Sequence, residues 1–168
     1  FIQERSALVT QSTLYGYLKT RMGLKYTLMF TDKIFLESVD KAKWNIYVSA
    51  LSDCTLFVYS YLISNKKINS ENAKETYFKI LETERTNGLP ENVIKESKNS
   101  FEQRLREINW HTFFEDNPFK LSGLALYEWS PIADELKELD KEIVLNSIKN
   151  KWNLVIEEFK KRTINFKI

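Results

Sequence analysis
At 168 residues, 43% hydrophobic and 29% charged, the chain has the composition of one folded domain (1–168) that needs no cofactor merely to fold, not that of a disordered segment. Four Gly and three Pro leave few places to turn, which argues against the many short strands of a sandwich or barrel and for a few long helices. A net charge of +2, from 25 basic and 23 acidic residues, lacks the basic excess that nucleic-acid binding calls for, and Lys outnumbers the better phosphate reader Arg roughly three to one.

Taken in chain order, the first helix is expected from Phe1 to Met22, with Leu14, Leu18 and Met22 on one face and Gly23 placed to cap its C-terminus. A loop through Lys25 to Phe30 should follow. Thr31 or Asp32 can cap a long second helix reaching Ser64, in which Phe35, Val39, Ala42, Ile46, Ala50 and Phe57 recur at helical spacing. Trp44, Val48, Leu51, Val58 and Leu62 form a second apolar stripe on it, so this helix should be buried among others. A third helix is expected from Ser70 to Asn87 and Gly88, and a fourth from Pro90 to near Asp116 with Ile94, Ser97, Phe101, Leu105 and Ile108 on one face. Asn117 and Pro118 read as N-cap and first turn of a short helix through Leu126, and Ser130 with Pro131 repeats the signal. The last helix carries Val144, Ile148, Trp152, Val155 and Phe159, and can begin at Pro131 or at Asp140, as one piece or two. The sum is an all-α bundle of five to seven helices around a central one near residues 32–64.

That central helix, long enough to span a bilayer, contains Asp53. Eight strongly apolar residues would each gain about 0.3 to 0.6 kcal/mol on insertion, whereas the Asp alone costs roughly 2.5 to 3.5. A buried core helix is therefore expected in place of a transmembrane span. Asp53 shares the stripe of Ile46, Ala50 and Phe57, so its carboxylate should point inward, where an unpaired charge costs several kcal/mol. Two readings follow. In one, Asp53 is a structural acid bonded to a tyrosine hydroxyl, a tryptophan N–H or a helix terminus. In the other it lines a pocket as a proton donor or ligand anchor, with Arg21, Tyr15 and Tyr17 from the segment LYGYLKTRMGLKY as its neighbours.

The remaining chemistry is sparse. His111 is the one histidine, and Glu107, His111 and Glu115 would share a face as metal ligands on an unbroken helix, against the simpler reading of a solvated face. No G-x-S-x-G elbow or phosphate-cradling glycine loop is present, and a thiol such as Cys54 in an apolar run has a raised pKa. A single cysteine cannot form an intrachain disulfide, and a cytoplasmic location is expected. The sequence opens on Phe1 without a methionine and without a signal-peptide layout, which leaves room for an upstream segment. Trp110, Phe114, Phe119 and Trp129 gather around the corner between the fourth helix and the short one. They suit an interaction surface or a packed turn.

The residues YGYLKTRMG (15–23) and ALYEWSPIADELKELDKEIVLNSI (125–148) resemble an uncharacterised family of small helical proteins from alphaproteobacteria, to which an esterase label is sometimes attached. The resemblance implies a bacterial origin and no established activity, and no nucleophile elbow supports the label. The reading is a non-enzymatic interaction or assembly factor with a protein partner and no cofactor. The alternative is a small-molecule or lipid-binding protein, a hydrolase among the options, with a pocket around Asp53.

Overall fold
Asp32 sets the frame of the molecule. In extended backbone its side chain accepts from the Phe35 N–H at 3.0 Å, starting a helix that runs unbroken to Ser64. The computed structural model describes residues 1–65, 68 and 72–164. Its elements are α1 (Ile2–Met22), a 3₁₀ turn (Gly23–Lys25), the single turn α2 (Tyr26–Met29), α3 (Lys33–Ser64), α4 (Asn72–Thr86), α5 (Glu91–Glu107), α6 (Lys120–Trp129) and α7 (Asp134–Ile164). The described residues contain helices and no strand, so the all-α expectation holds.

α3 is the shared wall of two apolar cores. On one side Phe35, Val39, Ile46, Ala50 and Phe57 meet Leu14 and Leu18 of α1, Leu126 of α6, and Ile148, Trp152 and Phe159 of α7. On the other, Trp44, Tyr47, Val48 and Leu51 meet Tyr77 and Leu81 of α4 and Ile94 and Phe101 of α5. The first apolar stripe in its sequence lines the first wall, and Trp44, Val48 and Leu51 of the second line the other, while Val58 and Leu62 turn back to the first core. Tyr77 stacks on Phe101 with ring centroids 4.0 Å apart, and Phe119 stacks on Trp152 at the same distance. Among the described residues one helix, α3, is long and apolar enough to cross a membrane, and 72% of its most apolar window is buried inside the fold.

Side-chain pairs fix the helix directions. Arg21 near the end of α1 reaches Asp140 near the start of α7, and Arg5 near the start of α1 reaches Glu158 near the end of α7, so these two are antiparallel. Lys41 lies over the Trp129 ring, while Asp53 receives the Ser122 amide, so α6 runs antiparallel to α3. One end of the molecule thus collects the C-termini of α1 and α6 and the N-termini of α3 and α7.

Several expected boundaries shift. Gly23 does close α1, at φ +53 and ψ −127, where glycine is at ease. The stretch read as a loop, Lys25 to Phe30, holds most of a helical turn, α2. The expected start of the third helix at Ser70 lies outside the described residues. α5 stops at Glu107 rather than near Asp116. The Asn109 side chain accepts from the His111 N–H at 3.1 Å, a local turn that competes with the helix. Asn117 takes a positive φ of 46, and α6 begins only at Lys120, then runs on past Leu126 to Trp129. α7 is one piece from Asp134.

Candidate functional site
Asp53 projects from the middle of α3 and is fully buried. One carboxylate oxygen, Oδ1, accepts from the Arg104 Nη2 at 2.7 Å, and the other, Oδ2, accepts from the Ser122 backbone N–H at 2.8 Å. Ser122 is the third residue of α6, whose own N-cap position, Phe119, has no side chain able to accept. A carboxylate from another helix therefore does the capping, at the end where the helix dipole favours negative charge. The Ser122 hydroxyl donates to the Phe119 carbonyl at 2.9 Å and accepts from the Trp152 Nε1–H at 3.0 Å, which ties α7 into the same knot.

Arg104 completes the arrangement. Its Nη1 donates to the Ser52 hydroxyl, and its guanidinium lies 5.8 Å from the centre of the Phe113 ring. Burial pushes the Asp53 carboxyl up to about 6, against the pull of the Arg104 charge and of the Ser122 N–H, which favour the ionised form.

Asp53 itself touches no open space. Arg104, with 22% of its side chain exposed, does. It borders a groove of about 520 Å³ between the end of α5, the 108–118 segment and the start of α6, where Phe113, Leu121 and Leu124 supply apolar walls and Glu107, Asp116 and Lys120 supply charge. A ligand there would meet the guanidinium, not the carboxylate.

The residues proposed from sequence as partners of Asp53 lie elsewhere. Arg21 grips Asp140 with two hydrogen bonds, from Nε and Nη2, and the Tyr17 hydroxyl donates to the same carboxylate at 3.0 Å. Burial and the Asp140 carboxylate push the Tyr17 phenol up to about 12, and the Arg21 and Tyr17 bonds hold Asp140 below the usual range despite some desolvation. Tyr15 packs at the edge of the first core, near Phe30. Shared position on α1 made Arg21 and Tyr17 look available, but they face α7.

The metal reading is corrected by the end of α5. With Glu107 its last residue, Glu107, His111 and Glu115 do not share one helix face, and all three are exposed. Among the described residues no group of three His, Cys, Asp or Glu side chains could hold a metal ion. The aromatic corner divides. Phe119 belongs to the core, and Phe114 packs edge-on against Tyr61 at 5.6 Å. Trp110 is half-buried against the second core. Ser60 of α3 pins this segment, donating to the Trp110 carbonyl at 2.8 Å and accepting from the Phe114 N–H at 3.1 Å. Trp129 alone of the four is open, 37% exposed.

Cys54 is a poor nucleophile where it sits. It is buried and its thiol is pushed up to about 12 by that burial. Sequence reasoning missed Arg104, although its position, three residues after Phe101 and seven after Ser97, puts it on the inward face of α5. It also missed Glu84, a second buried carboxylate, which accepts from the Tyr47 hydroxyl at 2.7 Å, from Gln3 at 2.8 Å and from Asn87 at 2.9 Å. Comparison with known proteins found no matching family model, no matching curated protein and no matching solved structure.

Proposed function
We propose that the protein is a non-enzymatic interaction or assembly factor that binds a protein partner through an apolar surface at the α3–α7 end of the bundle. One observation carries this reading. Of eleven exposed large hydrophobic residues among the described residues, eight (Leu24, Leu28, Ile34, Leu36, Trp129, Leu136, Leu139 and Ile143) belong to the elements that meet at that end, with Leu24 98% exposed. Scattered apolar residues need no explanation, whereas a concentration of them marks a contact surface.

Charge speaks to the class of partner. Lys25, Lys33, Lys41 and Lys137 alternate there with Asp32, Glu37, Asp40, Glu135 and Glu138. An apolar centre with a rim of both signs suits another protein, where an anionic membrane would favour Lys and Arg alone. The buried run of α3 supports reading it as a core helix, and the lone, unpaired thiol of Cys54 supports work in the cytoplasm. The interaction surface is thereby moved from the aromatic corner, three of whose four residues are engaged in packing.

The test is affinity purification of a tagged chain at native expression level, wild type against Ile143→Lys, with melting temperature as the control for folding. A specific protein recovered with the wild type and lost with the variant, at unchanged melting temperature, supports the reading. Equal recovery contradicts it.

A second reading, small-molecule binding, is favoured by the Arg104 groove. In that case a carboxylate-bearing ligand would sit on Arg104, and Asp53 would act only by holding the guanidinium. Arg104→Lys should then abolish ligand-induced thermal stabilisation, because an ammonium cannot reproduce the planar fork.

A further inference from the structure
α7 carries apolar residues on two sides. Its core face carries Val144, Ile148, Trp152, Val155 and Phe159, all buried. Leu136, Leu139, Ile143, Leu154 and Ile164 are 40 to 77% exposed. At about 100° per residue these five fall within an arc of about 80°, centred roughly 150° away from the core face. They form one outward stripe along a helix about 46 Å long. Asn146, Asn150, Glu157 and Lys161 lie in the same arc and Asn153 at its edge, with Asn150 near the middle of the helix.

The charges of this helix are also ordered. From Asp134 to Ile148 it has five acidic and two basic residues, and from Lys149 to Ile164 five basic and two acidic. The helix dipole favours acids in the first turn and bases in the last. Its influence reaches only about a turn, and it has no bearing on five Leu and Ile side chains left in water.

From these two orderings we propose that the occupant of the stripe is a second copy of this chain, with the α7 helices packed antiparallel about a two-fold axis near Asn150. Antiparallel pairing sets the acidic half of each α7 against the basic half of its mate, whereas parallel pairing sets like charge against like. It is also the arrangement in which one helix surface is complementary to itself. With the axis near residue 150, Leu136 faces Ile164 of the second copy, and Ile143 and the second copy's Leu154 lie along the same seam about one turn apart. The two Asn150 side chains meet at the axis, a polar contact of the kind that can fix register. This inference rests on the interaction reading above and names its partner.

Sedimentation velocity and light scattering on the purified chain, from low to high micromolar concentration, test it. The wild type should move from the 19.9 kDa monomer to twice that mass. Ile143→Lys, at a position open to solvent within one chain, should keep its melting temperature and stay monomeric. Two charge variants examine the direction of pairing. Glu135→Lys with Glu142→Lys, and Lys160→Glu with Lys161→Glu, should each dimerise at least tenfold more weakly, and an equimolar mixture of the two should recover a heterodimer. A mixture that stays monomeric overturns the antiparallel arrangement. A wild type that stays monomeric at high micromolar concentration overturns the second copy as occupant. The interaction reading then stands if Ile143→Lys still loses a specific partner protein, and fails with it if that variant loses nothing.

Discussion
The carboxylate of Asp53 caps a helix that begins far along the chain, 2.8 Å from the amide of Ser122 and 69 residues away in sequence. Arg104, 51 residues away, holds the other oxygen. This one buried acid therefore fixes α3, α5 and α6 relative to each other, and through the Ser122 hydroxyl it reaches Trp152 of α7. Removing it should be felt by the whole bundle. Asp53→Ala should lower the unfolding free energy by about 3 to 5 kcal/mol, because a half-buried guanidinium and a buried amide lose their acceptor together. Asp53→Asn keeps an acceptor for one of them and should cost less. Urea unfolding followed by circular dichroism measures both, and two variants as stable as the wild type would show that the carboxylate is not the tie described.

The same acid predicts a pH dependence of definite sign. Burial raises its folded-state pKa from the ordinary 3.8 to about 6, so between those values the folded form holds more protons than the unfolded form. Its contribution is therefore fully present below about pH 4 and is lost as pH rises through about 6, amounting to roughly 3 kcal/mol at 1.36 kcal/mol per unit. The stability advantage of wild type over Asp53→Asn should shrink from pH 4 to pH 7. An advantage that grows across that range would mean that Arg104 and the helix terminus outweigh burial.

Asp140 should behave in the opposite sense. Arg21 and Tyr17 depress its pKa, so its stabilisation is present above the ordinary carboxylate value and fades as pH falls through the depressed one. Asp140→Asn should remove part of the acid sensitivity of the wild type and leave the Tyr17 phenol easier to ionise than its present value of about 12. Ultraviolet titration of the tyrosines would detect the second effect.

Glu84 offers a test without an ion pair. Three neutral donors converge on it, and their hydrogen bonds outweigh burial to keep its pKa low. Glu84→Ala would leave the Tyr47 hydroxyl without its acceptor in the second core and should cost about 1 to 3 kcal/mol, whereas Trp129→Ala, at the surface, should cost less than about 1. A large loss at Trp129 with none at Glu84 would reverse their assignment to surface and core.

Much of the frame was readable from residues alone. Thr31 or Asp32 as an N-cap, Gly23 as a stop and the stripe from Phe35 to Phe57 are local signals, realised at Asp32, at Gly23 and in the first core. The burial of Asp53 was readable too, because helical periodicity fixes which face a residue occupies. Its partners were not. Arg21 was nearer in sequence and chemically as suitable as Arg104, and nothing local says which of two antiparallel neighbours an arginine will face. Phe119 and Trp129 show the same limit, since a large aromatic reads alike in a core and at a surface. The end of α5 was missed for a smaller reason: Asn109 can bond its own backbone and so break a helix whose apolar spacing still continues through Ile108.

Native mass spectrometry of the chain purified gently from its own cells, wild type beside Ile143→Lys, bears most directly on the claim that the outer face of α7 is a contact surface. The expected result is a wild-type species at twice the mass of one chain and a variant at the mass of one chain. Both proteins as single chains at high micromolar concentration, with no partner protein bound to the wild type, would contradict it.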